Sequence, residues 1–252
     1  MVDAKQLSTS FGRSASVYEA GRPEYPAEAV AWLLEPAVPP GALPAAPRVA
    51  DVGAGTGKLT RALRTLGAET VAVDPDPDML TRLHASLPDV PTFVGSAEAL
   101  PLPDASLDAV VLGQAWHWVE PVAGSREVGR VLRAGGVLGL IWNIRDESVP
   151  WVSRLTAAMR GSHAETMLAA GDPPVAAPFT RVEERRWSWQ RPMTRDALTA
   201  MVHSRSYVIT ASLQERERID REIGALFDEI GAVGDAEVVL PYITRAYRAV
   251  RP

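Results

Sequence analysis

Residues 49–57 most constrain the fold, because a short apolar run meets three alternating glycines ahead of a helical pattern. Residues 49–52 predict a buried strand, and residues 58–66 predict a helix that stops at a C-cap glycine. Glycines at such a junction let the backbone approach a ligand closely, and a helix N-terminus attracts a negative or hydrogen-bond-accepting group. The segment therefore predicts a ligand site where a strand gives way to a helix.

Strands and helices continue to alternate beyond this loop, which is typical of βαβ units and a parallel sheet. A helix over residues 27–34 comes before the first strand, and a proline-rich linker separates the two. Further strands are predicted at residues 69–73, 92–94, 107–112 and 137–142, and helices at 78–86 and 125–132. The weaker pattern after residue 143 predicts helices at 151–170, 194–204 and 212–231 and strands at 183–190 and 237–249.

Composition excludes several classes of chemistry. The chain has 252 residues, no cysteine and a formal net charge of −5, so disulfides, thiolate metal sites and cysteine nucleophiles are ruled out. Its charge balance does not favour nucleic-acid binding, which needs a clustered basic surface. No residue spacing resembles a metal site, no apolar run approaches the roughly 18 residues of a membrane span, and the first residues lack a secretory signal. We therefore expect a cytoplasmic protein without metal, nucleic-acid or membrane partners.

Three kinds of nucleotide site have a glycine-rich loop between a strand and a helix, and the spacing of the glycines distinguishes them. A P-loop needs four residues between its glycines, but Gly53 and Gly57 enclose three, and Lys58 is followed by Leu59. The dinucleotide fingerprint needs a glycine where Lys58 stands. What remains is an acid two residues before the first glycine, Asp51. Such an acid would repel a pyrophosphate but would hold an ammonium group, directly or through water.

This pattern resembles the class I S-adenosylmethionine-dependent methyltransferases (type 11-like). The resemblance extends to Asp74 at the end of the second strand, to residues 95–101 (Gly-Ser-Ala-Glu-Ala-Leu-Pro), and to residues 132–136 (Leu-Arg-Ala-Gly-Gly). It implies an α/β fold: a Rossmann-like, doubly wound, mostly parallel seven-stranded sheet with helices on both faces, an N-terminal lid, and a helical insertion after strand five. It also implies S-adenosylmethionine as the cofactor and S-adenosylhomocysteine as the product.

The resemblance also implies which residues hold the cofactor. Asp51 faces the amino group, and the Asp74 carboxylate accepts two hydrogen bonds from the ribose diol. Because Ser96 stands where many members carry Asp, the adenine edge falls to the Ala97 N–H and to Glu98. The implied cofactor-binding residues are Phe11, Tyr18, Asp51, Gly53, Ala54, Gly55, Gly57, Asp74, Pro75, Met79, Ser96, Ala97, Glu98 and Gln114.

Two further segments are similar to the trans-aconitate methyltransferase-like branch of the family. They are the N-terminal residues 11–26, which in such proteins cover the cofactor as a lid, and Gln-Ala-Trp-His-Trp at residues 114–118. Phe11 and Tyr18 would then form aromatic walls, with plain core packing as the alternative.

His117 follows the fourth strand at the carboxyl edge of the sheet, where open α/β folds bind ligands. There it would orient or deprotonate a nucleophile, or only line the pocket. The candidate substrate-binding residues are Arg22, Trp116, Arg145, Arg205 and Tyr207.

The sequence therefore predicts a methyltransferase that acts on an O, N or C nucleophile of a small molecule, with a carboxylate among the candidates. Three blocks are expected: an N-terminal lid and linker (residues 1–47), a cofactor-binding core (48–143), and a helical insertion that completes the sheet and binds the acceptor (144–252). The alternatives are a catalytically silent S-adenosylmethionine-binding regulatory protein and a dinucleotide-dependent oxidoreductase. The sequence leaves the oligomeric state open.

Overall fold

A computed structural model describes residues 23–37, 46–159 and 163–252. Its strands are β1 (Arg48–Val52), β2 (Glu69–Asp74), β3 (Thr92–Val94), β4 (Leu107–Gly113), β5 (Leu132–Arg145), β6 (Glu183–Met193) and β7 (Val238–Val250). Its α-helices are α1 (Ala27–Leu34), α2 (Lys58–Thr65), α3 (Pro77–Ser86), α4 (Pro121–Val131), α5 (Pro150–Met159), α6 (His163–Ala170), α7 (Arg195–His203), α8 (Ser206–Ile209) and α9 (Leu213–Glu229). Short 3-10 turns lie at Glu35–Ala37 and Trp116–Trp118. None of the helices described is both long and apolar enough to cross a membrane.

The seven strands form one sheet in the order β3-β2-β1-β4-β5-β7-β6. Strands β1 to β5 run parallel, and β7 pairs antiparallel with both β5 and β6. The direction of chain winding reverses between β1 and β4, and in open α/β sheets ligands bind beside the carboxyl ends of strands at that switch point. The glycine loop after β1 lies there.

Apolar side chains cover both faces of the sheet. One cluster joins α1 and α2 to one face through Leu33, Leu63, Val111 and Ile141. Another joins α4 and α6 to the opposite face and includes the fully buried Trp142. A third links α5, α7 and α9 to the ends of β6 and β7. The sheet is therefore buried between layers, as the near-continuous apolar runs of the parallel strands require.

The predicted fold class is confirmed, and several element boundaries differ. The sequence predicts one helix over residues 151–170; within that range the structure describes α5 up to Met159 and α6 from His163, and residues 160–162 lie outside the described part. Helix α4 begins earlier than predicted, at Pro121, because the Glu120 carboxylate accepts the N–H groups of Val122 and Ala123. Strand β5 begins earlier than predicted and includes the predicted turn at residues 134–136. Its pairing with β4 shifts from Leu107↔Leu132 to Ala109↔Val137, so residues 133–136 form an irregularity within the strand. The last strand also runs on to Val250.

Candidate functional site

The glycine loop adopts backbone conformations that favour glycine. Gly53 has φ 71° and Gly55 has φ 55°. A Cβ atom on Gly53 would lie 2.7 Å from the Ala115 Cβ, whereas one on Gly55 would meet no described atom within 4 Å. The first glycine thus permits close packing against the chain after β4. The second leaves a smooth backbone surface for a ligand.

Asp51 lies beneath this loop at the end of β1 and is only 1% exposed. Its Oδ2 accepts a hydrogen bond from the Thr60 hydroxyl at 2.6 Å. Its Oδ1 is buried and has no hydrogen-bond partner among the described residues. Burial raises the pKa of Asp51 to about 7; the Thr60 hydrogen bond opposes the rise, and the charge of Asp74 adds to it. A buried acceptor without a partner is costly, and an ammonium group would satisfy it.

Asp74 ends the neighbouring strand, β2, and is 6% exposed. Its two oxygens accept the N–H groups of Gly55 and Asp76, each at 2.8 Å. Burial raises its pKa to about 6, against the lowering effect of these two hydrogen bonds. Each carboxylate oxygen retains a second lone pair, so the pair of oxygens can still accept hydroxyl donors. Asp76, which the sequence analysis did not single out, is also buried beside it.

A small cleft opens over the loop. It brings together the predicted Asp51, Gly53, Ala54, Gly55 and Gln114. It also includes residues that were not predicted to belong to the site, of which Pro23 and Tyr25 come from the predicted lid segment, residues 11–26. The lining residues are Pro23, Tyr25, Asp51, Gly53, Ala54, Gly55, Thr56, Lys58, Leu59, Gly113 and Gln114.

Lys58 holds the N-terminal segment against the glycine loop. Its ammonium group lies 2.7 Å from the Glu24 carboxylate, and the Asn143 amide donates to the Glu24 carbonyl at 3.0 Å. The residue that breaks the dinucleotide fingerprint thus ties the start of the described chain to the glycine loop.

The predicted adenine segment forms a tight turn, in which the backbones of Ser96 and Ala99 exchange hydrogen bonds. Ala97 is buried, as is Met79, whereas Pro75 is exposed. The Glu98 carboxylate accepts the Glu120 N–H at 2.9 Å, next to the start of α4. The roles of these residues toward adenine stay predictions.

Arg130 and Glu127 of α4 hold the chain that follows this turn. Arg130 donates to the carbonyls of Leu100 and Leu102 and pairs with Asp104 and Glu127. Glu127 in turn accepts the Leu100 N–H at 2.9 Å.

His117 lies in the 3-10 turn after β4 and is half-buried. The Trp142 indole N–H donates to its Nδ1 at 3.4 Å, and its ring lies 4.8 Å from that of Trp118. A neutral imidazole that accepts at Nδ1 carries its proton on Nε2. The geometry therefore presents Nε2 as a donor. Trp116 is buried in the core and donates to the Pro174 carbonyl.

Of the substrate candidates, the structure describes the side chains of Trp116, Arg145 and Arg205. The Arg145 guanidinium is buried and pairs with Glu165 at 2.5 Å, and Thr156 accepts from it at 3.2 Å. Arg205 is buried beside the Met201 sulfur. Phe11, Tyr18 and Arg22, and the side chain of Tyr207, lie outside the described part of the chain.

The fold and the site define an α/β methyltransferase. A family model for the methyltransferase domain matches residues 50–140. An uncharacterised methyltransferase of Mycobacterium tuberculosis is 44% identical over 251 residues, 97% of this chain and 97% of that protein. The chain therefore belongs to the class I S-adenosylmethionine-dependent methyltransferases. The trans-aconitate methyltransferase-like branch stays a prediction.

Solved structures share this fold. A protein from Anaeromyxobacter dehalogenans, regarded as a type II methyltransferase, has a TM-score of 0.66 and 24% identity and covers 91% of this chain and 97% of its own. Haemonchus contortus phosphoethanolamine N-methyltransferase 2, in complex with S-adenosyl-L-methionine, has a TM-score of 0.53 and 14% identity and covers 100% of this chain and 60% of its own.

Proposed function

We propose that this chain transfers a methyl group from S-adenosylmethionine, in line, to an O, N or C nucleophile of a small-molecule acceptor. The observation that carries the proposal is the Asp51 Oδ1, which is buried without a described partner beside the glycine loop. A ligand group that only accepts hydrogen bonds would leave this oxygen unsatisfied. The amino group of a methionine-derived cofactor supplies the cation that it lacks.

The chain's own residues fit the rest of such a cofactor. Gly55 presents open backbone toward the cleft, and Asp74 offers spare lone pairs to a ribose diol. When bound, S-adenosylmethionine supplies a methyl group on a sulfonium. The residues of this cleft then bind and orient the cofactor, and alignment of two reactants contributes on the order of 7–11 kcal/mol of a barrier. A general base adds about 10²–10⁴-fold, so positioning dominates.

A carboxylate acceptor is the narrower form of the proposal. Its support is a buried arginine, Arg145, at the carboxyl end of β5. In the structure that guanidinium already holds Glu165, so an acceptor carboxylate would have to displace Glu165. Transfer of a radiolabelled methyl group to a panel of small acids, phenols and amines distinguishes the forms, because a methyl ester is base-labile and an ether or amine product is not. Any product also excludes the catalytically silent alternative.

Asp74→Ala tests the cofactor site itself. Removal of two hydrogen bonds to a charged group, each contributing about 1.5–3 kcal/mol, should weaken S-adenosylhomocysteine binding about 100-fold or more in isothermal titration calorimetry. The matched control is Asp89→Ala, an exposed acid that comes before β3 at the opposite edge of the sheet. It should bind like the wild type. Unchanged affinity in Asp74→Ala would remove Asp74 from the ribose role.

A further inference from the structure

A chain of hydrogen bonds crosses the sheet from its edge to the cleft. On β6, the Trp189 indole N–H donates to the Thr244 hydroxyl at 2.8 Å. On β7, Thr244 donates to the Asn143 Oδ1 at 2.6 Å. On β5, the Asn143 Nδ2 donates to the Glu24 carbonyl at 3.0 Å. The chain thus joins the C-terminal strands to the segment whose neighbours Pro23 and Tyr25 line the cleft.

The direction of every bond in this chain is fixed. An indole N–H is a donor only, so the Thr244 hydroxyl accepts from Trp189, and it donates its single proton to the Asn143 Oδ1. Asn143 therefore turns its oxygen toward Thr244 and its NH₂ toward Glu24. The flipped amide would place two acceptors face to face at Glu24. Because Thr244 is 0% and Asn143 5% exposed, water is poorly placed to replace a lost partner.

Asn143 also contacts a residue that lines the cleft, Gln114. Its backbone carbonyl accepts the Gln114 Nε2 at 2.9 Å, and Gln114 has φ 57°, a conformation uncommon for a residue other than glycine. Asn143 therefore contacts two segments that line the cleft without lining it itself: its side chain binds Glu24, between the lining residues Pro23 and Tyr25, and its backbone binds Gln114.

We propose that Asn143 is a positioning residue for the cofactor cleft, and that Trp189, acting through Thr244, fixes the amide orientation that holds the Pro23–Tyr25 wall. This inference rests on the proposed function, since it takes the ligand of the cleft to be the cofactor. If Trp189 and Thr244 act in this way, cofactor affinity depends on β6 and β7, two strands of the predicted acceptor-binding block. The glycine loop alone would not predict that dependence.

Thr244→Val tests the inference on the full chain, with S-adenosylhomocysteine as the probe in isothermal titration calorimetry. Valine keeps the shape and removes both hydrogen bonds, so affinity should fall roughly three- to tenfold. Thr244→Ser restores the hydroxyl and should bind within about twofold of the wild type. The matched control is Thr70→Val: Thr70 is another buried strand threonine, bonded to the Ala68 carbonyl. It should lower the thermal midpoint without changing affinity.

A double-mutant cycle with Lys58→Met supplies a readout that loss of stability alone would not produce. Lys58 holds the Glu24 side chain and Asn143 its carbonyl, so the two should act on one segment. Their combined loss of affinity should be smaller than the product of the single losses. Multiplicative losses, or an affinity loss in Thr70→Val equal to that in Thr244→Val, would overturn the inference.

If Thr244→Val does not fold, Trp189→Phe removes the same donor from a half-buried position and should weaken binding in the same direction. Absence of binding by the wild type would instead remove the proposed function.

Discussion

At the scale of single residues, two buried carboxylates stand out: Asp51, which lines the cleft, and Asp74, which binds the N–H of the lining residue Gly55. The spacing of Asp51 and Asp74 from the glycines is visible in the sequence, and their positions are as predicted. The sequence does not show which hydrogen-bond partners each carboxylate oxygen has. Thr60 satisfies one oxygen of Asp51 and leaves the other unpaired, and that asymmetry arises only when α2 packs on β1.

Asp51→Asn should stabilise the ligand-free chain and impair binding. Burial raises the pKa of Asp51 from 3.8 to about 7, so between about pH 4 and 7 the native state keeps a proton that the unfolded state releases. This group's contribution to stability therefore falls as pH rises through that window, and the full cost is present above pH 7. Asparagine removes the charge and still accepts from Thr60. Urea unfolding at pH 8 should show a gain of about 1–4 kcal/mol, with binding of S-adenosylhomocysteine weakened at least tenfold.

A second buried acid provides the control for this prediction. Asp108 is paired with Arg133 at 2.6 Å and accepts the Arg48 N–H. Asp108→Asn should therefore lower stability and leave binding unchanged. If Asp51→Asn were to destabilise the chain as Asp108→Asn does, Asp51 would be a satisfied structural acid.

His117 offers a test that needs no acceptor. Because Trp142 donates to Nδ1, the neutral ring should carry its proton on Nε2, and nitrogen NMR should show an unprotonated Nδ1 and a protonated Nε2. His117→Gln assigns the signals by their loss. Trp142→Phe removes the donor and should let the two tautomers mix. A wild-type His117 ring that is protonated at Nδ1 would contradict the predicted tautomer, and its Nε2 would then be able to accept a proton as a base.

At the scale of elements, local signals predict the parallel half of the sheet well. Strands β1 to β4 are short apolar runs bounded by glycine, proline or aspartate, and each lies within two residues of its predicted ends. The true start of α4 has a recognisable sequence pattern: an acid at the N-cap followed by Pro121 at the first helical position.

Helix α4 should control cofactor binding through the adenine segment. Arg130→Met removes the hydrogen bonds to Leu100 and Leu102 and the ion pairs with Asp104 and Glu127. Since the Arg130 side chain is 33% exposed, solvent screening limits the loss of stability to about 1–3 kcal/mol. Affinity for S-adenosylhomocysteine should fall severalfold in calorimetry, because the released chain no longer fixes the turn at Ser96.

The control is an arginine in a similar network away from the cleft. Arg218 of α9 pairs with Glu215 and Glu222 and donates to the Ala158 carbonyl. Arg218→Met should cost comparable stability and no affinity. Equal affinity losses in the two variants would show that α4 acts only through global stability.

At the scale of the whole molecule, the three predicted blocks are joined by contacts between residues far apart in sequence. Arg248 near the end of β7 binds Glu35 and the Trp32 carbonyl of α1, and Lys58 of α2 binds Glu24. Such pairs have no local pattern, because both partners look like ordinary surface charges until the sheet closes. A site assembled from contacts of this kind carries no local sequence pattern, which is why the sequence predicts the class of cofactor and leaves the acceptor open.

Ligand-induced stabilisation tests the molecule as one unit. A ligand present at 100 times its Kd stabilises the native state by about 2.7 kcal/mol, and for a chain of this size each kcal/mol raises the Tm by about 2–4 °C. S-adenosylhomocysteine should therefore raise the Tm of the wild type by about 5–10 °C in a single transition, because the contacts between blocks couple their unfolding. Asp74→Ala should show no such shift. NADH should also give none, since Lys58 replaces the glycine of the dinucleotide fingerprint and Asp51 would repel a pyrophosphate. A larger shift with NADH than with S-adenosylhomocysteine would overturn the cofactor assignment.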